Sequence, residues 1–398
     1  MTPARCFATA FRQCCTNMAC APLFMGAIAM YALYYCWPYM AQLPDHIHCA
    51  IVDGDGSPLS RQLIMEFRAT PDLNILQVTE NRQEAILAMK RAEVSAILEI
   101  PPHFGRDVAA AVPTAVTLTA DGAYLVGGRM ATAGASGPLK AAASRAVASW
   151  LAEQGASAGE LARMEMQAPA LVTVAAYNTI SGYLNFAVPI VFVIVFQTLM
   201  CAGMGMLFNA WYMSAERPAV LTATLGSPLC LFAVQMTVFF LCLFWTLFVE
   251  GPVFYLQGIN SFQNIPATLG MCAAFSLAVS SLACLLSLLL GPTHFVMQAV
   301  VLSALPCVFI SGNLWPTQNI PFFFRALGAM FPSTPGSYGI IRASQCGADV
   351  AEAAPYMAHL LLLAVVYFLL ACLEARRQAR QAAEAEQARP TPPDAPGL

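Results

Sequence analysis

Residues 183–208 read YLNFAVPIVFVIVFQTLMCAGMGMLF, and this stretch decides the class of the fold. It contains no Asp, Glu, Lys or Arg. As a helix it exceeds the roughly 20 residues needed to cross the hydrocarbon core of a bilayer. A helix that is apolar on all sides is stable only in lipid or inside a large protein. The stretch therefore predicts a membrane-spanning helix.

Further apolar stretches predict an α-helical polytopic membrane protein with about six transmembrane helices. The first, residues 19–43, is longer than the apolar core of a signal peptide and lacks its cleavage site, so we interpret it as a retained span. Residues 312–341 are apolar but interrupted, notably by Gly312, Pro316 and Pro321, which predicts re-entrant half-helices enclosed by protein or water. The remaining predicted spans are residues 226–249, 266–290, 295–311 and 355–373.

The region between the first two spans has the composition of a water-facing domain. Residues 44–176 hold 24 of the 41 charged side chains, whereas residues 177–373 hold seven. Short apolar runs alternate there with polar-faced helical stretches, which predicts an inserted α/β domain. The Ala-rich residues 122–167 predict a helical stalk with breaks near Gly134–Pro138 and Gly155. The predicted strands are residues 48–52, 73–79, 94–100 and 115–119.

The arginine distribution predicts the orientation. Six spans place both termini, residues 1–18 and 374–398, on one side of the membrane. That side carries seven Arg and the short segments of the other side carry two, which favours cytoplasmic termini. Residues 44–176 are then extracytoplasmic, and the loop 209–225 is cytoplasmic. The tail beyond Arg389 is Pro-rich and predicted to be disordered.

The sequence excludes an ATP-hydrolysing chain of the usual kind. Its only two lysines are Lys90 and Lys140, and neither follows a glycine, so a phosphate-binding loop cannot form. The net charge of −3 provides no basic field for nucleic acid. We predict neither enzymatic activity nor a cofactor for this chain.

Two local clusters could carry chemistry, and each has a simpler interpretation. His46, His48 and Cys49 could ligate a metal, although solvated loop histidines explain them better because the spacing matches few real sites. Asp53 and Asp55 could act as paired carboxylates, although Asp-Gly-Asp-Gly after a strand is more often a turn.

Ionisable residues within the predicted spans are almost absent. Glu250 lies at a span end and His294 in a short turn, so an interfacial role is favoured for each over a proton relay. Cys49 and Cys346 could both lie outside the membrane and form a disulfide, which we consider the weaker alternative to free thiols. The energy source is therefore predicted to lie outside this chain.

Five segments resemble a known family. They are residues 50–61 (AIVDGDGSPLSR), 92–104 (AEVSAILEIPPHF), 121–122 (DG), 177–178 (YN) and 310–321 (ISGNLWPTQNIP). In order and in topology they are similar to the membrane permease subunit of type-2 ATP-binding-cassette exporters. The likeness is to the bacterial branch with a large periplasmic domain after the first span, and it covers nearly the whole chain.

The resemblance implies how the protein would work and with what. Two permease subunits, identical or different, would pair in the inner membrane above cytoplasmic ATPases that bind the ATP, and a periplasmic adaptor often joins such systems. The first cytoplasmic loop would contact the ATPase; here it departs from the charged family pattern and keeps only Glu216 and Arg217 as charged residues. These two charges could instead serve only to fix the topology.

The function predicted from the sequence is export of a hydrophobic or amphipathic substrate. Two alternatives remain open at this point. The chain could be a membrane-anchored sensor or assembly protein whose outer domain binds a ligand, but five further spans are excessive for an anchor. It could also be a polytopic enzyme such as a lipid-linked transferase, for which Glu250 alone is thin support. The substrate itself cannot be read from the sequence.

Overall fold

The chain is described by a computed structural model that divides into two units. The helical unit comprises Met1–Gln42 and Ala175–Leu398, and the α/β unit comprises Leu43–Val174. The structure describes residues 1–37, 46–110, 112, 114–120, 125–153, 183–214, 218–291, 295–313, 315 and 317–387.

The helical unit begins with an amphipathic helix, α1. Its buried residues, Cys6, Ala10 and Cys14, recur every fourth position and so form one stripe along the helix. A π-helical turn then leads into the apolar helix α2. These elements are α1 (Pro3–Thr16), the π-helical turn (Pro22–Gly26) and α2 (Ala27–Tyr34).

The α/β unit is a four-stranded sheet in the order β2-β1-β3-β4, with helices on both faces. β1 is parallel to β2 and to β3, whereas β4 is antiparallel to β3. Alternate side chains of β1 enter different cores, as strand geometry requires: Cys49 and Ile51 face α3 and α6, and Ala50 and Val52 face α4. The elements are β1 (Ile47–Asp53), α3 (Pro58–Ala69), β2 (Leu73–Thr79), α4 (Arg82–Lys90), β3 (Ala96–Ile100), α5 (Phe104–Ala109), β4 (Thr117–Ala120) and α6 (Leu125–Glu153).

The break predicted near Gly134–Pro138 is wrong, because α6 continues through it. Ala131 and Ala135 are buried against the sheet, so tertiary packing holds this part of the helix. That packing offsets the roughly 3 kcal/mol that Pro138 costs inside a helix. The first part of the predicted stalk therefore belongs to the core of the α/β unit. The break predicted near Gly155 lies outside the described residues.

After the α/β unit, the helical unit consists mainly of long apolar helices. In the part of the chain that the structure describes, four helices are long and apolar enough to cross a membrane: Leu184–Met213, Pro228–Leu256, Ile265–Leu289 and Val350–Glu384. The prediction of a helical membrane protein is confirmed, while the count of six spans stays a prediction. The elements are α7 (Tyr183–Met213), α8 (Ala219–Gly226), α9 (Pro228–Phe248), a π-helical turn (Val249–Val253), α10 (Phe254–Leu256), α11 (Ile265–Leu289), α12 (Phe295–Ile310), a 3-10 turn (Thr317–Asn319), α13 (Phe322–Ala329), α14 (Ser333–Ser344) and α15 (Val350–Gln387).

Helix α11 lies at the centre of the helical unit. It packs against α7, α9, α14 and α15, and 78% of its most apolar stretch is buried. Its start is specified locally: the Asn264 side chain accepts the backbone N–H of Ala267 at 3.2 Å, and Pro266 occupies the first turn. By contrast, only 28% of the corresponding stretch of α15 is buried, so α15 presents a wide apolar surface outward.

Helix α15 begins earlier and ends later than the predicted span 355–373. Asp349 and Glu352 cap it reciprocally, each side chain accepting the other's backbone N–H, at 2.7 and 3.0 Å. The helix then continues to Gln387, past the predicted end of the span. The predicted disorder beyond Arg389 falls outside the described residues.

Candidate functional site in the helical unit

Among the described residues of the helical unit, one carboxyl group is buried. Glu250 lies in the π-helical turn that follows α9, and 3% of its surface is exposed. The Ser344 hydroxyl, at the end of α14, donates to Glu250 Oε2 at 2.7 Å. None of the ion pairs among the described residues involves Glu250. Because a buried carboxyl without a partner is costly, this hydrogen bond ties the end of α9 to the end of α14.

The same serine also anchors the chain that leads into α11. Ser344 Oγ accepts the backbone N–H of Phe262 at 3.2 Å, and the Ser344 carbonyl accepts that of Gln263 at 2.9 Å. Phe262 has a φ of 53°, a left-handed conformation that a side chain of this size rarely adopts. The polar joint formed by Glu250, Phe262 and Ser344 therefore fixes a strained turn as well as two helix ends. No pattern in the sequence singles out Ser344, and only the fold identifies its role.

Two further polar contacts cross between buried helix faces. Gln235 of α9 donates to Ser281 Oγ of α11 at 2.7 Å. Gln197 of α7 accepts the backbone N–H of Ser333, at the start of α14, at 2.8 Å. In an apolar surrounding such hydrogen bonds help to hold helices together, typically by about 0.6–2 kcal/mol each. The polar residues thus connect α7, α9, α11 and α14.

The segment predicted to be re-entrant begins with a tight turn at Gly312. Gly312 has a φ of 80°, and a Cβ there would lie 2.3 Å from Thr317 Cγ2. Asn313 Nδ2 donates to Ser337 Oγ at 2.8 Å, which fastens the turn to α14. Only glycine meets both the backbone angle and the close approach.

The other two predicted residues of this segment have different outcomes. Pro321 precedes α13 with an extended backbone, and its carbonyl accepts the N–H of Arg325 at 3.1 Å, so it begins that helix. Pro316 lies outside the described residues. At a rise of about 1.5 Å per residue, α13 and α14 are each too short to cross a bilayer of about 30 Å. They have the lengths expected of half-helices.

Glycines allow these half-helices to approach their neighbours closely. A Cβ on Gly328 would lie 2.6 Å from the Ile310 carbonyl oxygen, where α13 passes the end of α12. A Cβ on Gly339 of α14 would lie 2.1 Å from Met271 Cε of α11. Small residues at crossing points are the usual means of close helix packing in apolar surroundings.

Helix α13 leaves a cluster of aromatic side chains uncovered. Phe322, Phe323 and Phe324 are 76%, 70% and 47% exposed, and the Arg325 guanidinium lies 5.9 Å from the centre of the Phe322 ring. Aromatic side chains next to a cation are typical of the boundary between the membrane and water.

The predicted ATPase-contact residues Glu216 and Arg217 lie outside the described residues. The helices on either side of them are described: α7 ends at Met213, and α8 buries Val220, Leu221 and Leu225. Helix α8 packs against α1, α9 and α15.

Sequence reasoning missed the polar contacts on the flanks of this loop. Trp211 Nε1 donates to Gln13 Oε1 of α1 at 2.5 Å. The Tyr212 hydroxyl donates to the Gln378 side chain of α15, and Gln378 Nε2 donates to the Leu288 carbonyl of α11 at 2.7 Å. The stripe of small residues along α1 is the one signal in the sequence that could have predicted its packing.

The paired-carboxylate hypothesis in the α/β unit gives way to the turn interpretation. Asp53 accepts the backbone N–H groups of Asp55 and Gly56 at 3.1 and 3.0 Å, and the Ser60 hydroxyl at 3.0 Å. A hydrogen bond from the Ser57 side chain, with another from the Gly105 N–H at 2.9 Å, holds the pKa of Asp55 below its usual value. These carboxylates are occupied by structural hydrogen bonds.

The metal hypothesis is not supported by the described residues, among which no group of three His, Cys, Asp or Glu side chains could hold a metal ion. Cys49 lies fully inside the sheet, and its burial raises the pKa of the thiol to about 11. Cys49 and Cys346 are both free thiols. His294 lies outside the described residues.

Comparison with known proteins gives one result over nearly the whole chain. The sequence model of one family, described as "ABC-2 family transporter protein", matches residues 17–373. That range includes every span predicted from the sequence and both predicted site segments. No curated protein matches the chain.

Proposed function

The chain belongs to the ABC-2 family of transporter proteins and is a membrane permease of an ABC transporter, and we propose that it works as an exporter subunit. In this proposal it moves a hydrophobic or amphipathic substrate out of the cytoplasm or the inner membrane. A separate subunit hydrolyses the ATP that drives the movement. The single observation that carries the proposal is the family match over residues 17–373.

The need for an ATPase partner is supported by the sequence itself. With Lys90 and Lys140 as its only lysines, the chain has no phosphate-binding loop. Force would enter through the cytoplasmic side, where the arginine asymmetry places the loop 209–225. Helix α8, which forms most of the second half of that loop, packs against α1, α9 and α15 and would transmit the movement to them.

The polar joint and the half-helices would form the moving part. Four long apolar helices and the shorter apolar helices Pro22–Tyr34 and Met297–Ile310 together supply the six proposed spans. The half-helices α13 and α14 would enter the membrane from the outer side, with the exposed aromatic residues of α13 at its surface. A shift of α14 against α11 would change the packing at Gly339 and the bond from Ser344 to Glu250.

The assembly would contain two permease subunits, either two copies of this chain or this chain with a related one, in a bacterial inner membrane with cytoplasmic termini. The α/β unit would be extracytoplasmic, where a periplasmic adaptor could bind it in a cell with two membranes. The wide apolar face of α15 is available for lipid or for the second subunit.

Replacement of Glu216 and Arg217 by Ala tests the coupling. If these charges contact the ATPase in a buried interface, the double replacement should weaken the free energy of binding by about 2–5 kcal/mol, whereas replacing charges at the rim of the interface should change it little. We expect normal insertion, weaker co-purification of a subunit that carries a phosphate-binding loop, and loss of ATP hydrolysis stimulated by the permease.

Arg377→Ala is the matched control. Arg377 lies on α15, on the same proposed side of the membrane, and its side chain is 66% exposed with a 3.4 Å contact to Glu374. The Arg377→Ala variant should co-purify the ATPase and stimulate ATP hydrolysis as the unaltered protein does. Normal stimulation by the double variant would show that this loop does not couple the subunits. Failure to co-purify any ATPase with the unaltered protein would refute the exporter proposal.

A further inference from the structure

The α/β unit contains a cavity between the first turns of α3, α5, the middle of α6 and residues 114–116. Its volume is about 310 Å³, which lies at the lower end of the range found for small-molecule sites. Buried Leu63 and Phe104 form part of its floor. All the described residues that line it belong to this one unit, so the cavity needs no contact with the helical unit.

The inner wall of the cavity is formed by apolar side chains that belong to the edge of the hydrophobic core of the α/β unit. Leu59, Val108, Val116, Leu139 and Ala142 pack against the core, yet each remains only partly buried. All five line the same cavity. Binding of an apolar ligand against these side chains is favourable because it removes apolar surface from water.

The cavity continues into a second space that gives it an elongated form. This space has a volume of about 280 Å³ and reaches Trp150. It shares four lining residues with the first space: Val108, Thr114, Ala143 and Ala146. A rounded ligand would fill only one of the two spaces. A linear apolar chain would occupy both.

The charged and polar groups at the rim of the cavity indicate which ligand charge it would accept. Arg145 lines the first cavity, and its guanidinium donates to both oxygens of Glu66 at 2.5 and 2.6 Å. Gln62, which also lines the cavity, donates to Glu66 Oε1 at 3.3 Å. The Arg145 charge is thus already neutralised, and the described lining residues offer polar groups but no free positive charge for an anion.

From these observations we propose that the α/β unit binds an uncharged molecule with a linear apolar chain, in the cavity lined by Leu63, Phe104 and Ala142. The proposal concerns this unit alone and does not rest on the export proposal. The polar end of the ligand lies at the rim beside Gln62, and its chain extends toward Trp150.

The test uses the full chain in phosphatidylcholine nanodiscs and 1-dodecanol carrying an aliphatic diazirine as the probe. After illumination, the labelled residues are identified by mass spectrometry. We expect labelling at residues 59–63, 104–108, 112, 114–116 and 139–150 that excess unmodified 1-dodecanol removes. Labelling of lipid-facing helices is not saturable and so should persist.

Two alanines of α6 supply a matched pair of variants. Ala142 lines the cavity, whereas Ala148 is exposed and is not among the lining residues. Ala142→Phe should remove the saturable labelling, and Ala148→Phe should leave it unchanged. Ala142→Leu is a smaller change that serves if the Phe variant misfolds, and it should weaken the saturable labelling. Saturable labelling that survives both Ala142 variants, or no saturable labelling in the unaltered protein, would overturn the proposal.

The charge of the competitor tests the role of the rim. Dodecanoate has the same chain length but would place its carboxylate beside Glu66, so it should compete about 10-fold less well than 1-dodecanol, a difference of about 1.4 kcal/mol. Glu66→Gln frees Arg145 and should bring dodecanoate level with 1-dodecanol or above it. Equal competition by the two compounds in the unaltered protein would refute the preference for an uncharged ligand.

Discussion

Replacement of Ser344 by Ala should destabilise the helical unit more than any other single serine replacement at a similarly buried position. Ser344 is fully buried and serves two partners: it donates to Glu250 Oε2 at 2.7 Å and accepts the N–H of Phe262 at 3.2 Å. A buried polar group that loses its partner costs about 1–3 kcal/mol. The Glu250 carboxyl is almost wholly buried, whereas Phe262 is half-buried. We therefore expect a loss of about 2–4 kcal/mol, with most of it from Glu250.

Ser287→Ala is the control for this replacement. Ser287 is 1% exposed, but its hydroxyl donates at 2.6 Å only to the Ala283 carbonyl, within its own helix. That carbonyl can keep its backbone hydrogen bond when the hydroxyl is removed, so the variant should lose no more than about 1 kcal/mol. Glu250→Gln keeps an acceptor oxygen for Ser344 and should be milder than Ser344→Ala.

The free energy of unfolding can be measured in bilayer discs by steric trapping, with two biotin labels placed on the helical unit. This measurement reports on the helical unit without unfolding the α/β unit. Equal stability of the Ser344→Ala and Ser287→Ala variants would refute the reasoning, because it would mean that the buried joint contributes no more than a bond within one helix.

Three further predictions concern other parts of the chain. Gly312→Ala should reduce stability more than Gly258→Ala, since both glycines have positive φ (80° and 69°) but only Gly312 has close neighbours; equal losses in thermal stability would contradict a role for the contact with Thr317. Ser57→Ala should remove the cap of α3, where Ser57 accepts the Ser60 N–H at 3.1 Å, at a cost of about 1 kcal/mol at pH 7. The hydrogen bond from Ser57 is the main cause of the lowered pKa of folded Asp55, so the stability it contributes is present above the unfolded pKa and is lost as the pH falls through the folded pKa. The difference in stability between Ser57→Ala and the unaltered protein should therefore shrink in acid. A difference that grows as the pH falls, measured by denaturation at several pH values, would contradict this prediction. Single cysteines at Ser157 and Ser214 should differ in labelling by a membrane-impermeant thiol reagent on cells with an accessible periplasm, with reaction at Ser157 only; labelling of Ser214 alone would reverse the topology.

The sequence predicted the start and end of several helices because their signals are local. The predicted span 266–290 and the observed Ile265–Leu289 nearly coincide, since Asn264 and Pro266 specify where that helix begins. The predicted span 355–373 was too short at both ends. Hydropathy detects only the apolar part of a helix, whereas α15 starts at a polar capping pair and continues through a polar stretch to Gln387.

The candidate site could be predicted only in part. Gly312 and Pro321 were singled out from composition, and the structure gives each a specific role at the start of a turn or a helix. The interfacial role predicted for Glu250 from its place at a span end stays a prediction. Only the structure shows that its carboxyl group is buried in the protein and accepts a hydrogen bond from Ser344. A partner that is 94 positions away along the chain leaves no local signal.

The sequence by itself determined that this protein lies in a membrane and does not bind ATP through a phosphate-binding loop. Both conclusions are independent of the fold. The free energy of transferring apolar side chains from water into lipid adds up residue by residue along a segment. A phosphate-binding loop requires a lysine in the sequence itself, and no packing can replace it. Only the tertiary structure decided that α6 stays helical through Pro138, that Ser344 satisfies Glu250, and that a cavity remains beside Leu63 and Phe104. Each of these features depends on which surfaces meet when the chain folds. Burial and hydrogen bonds between residues far apart in the sequence decide their free energy, and a local sequence pattern carries no information about such contacts.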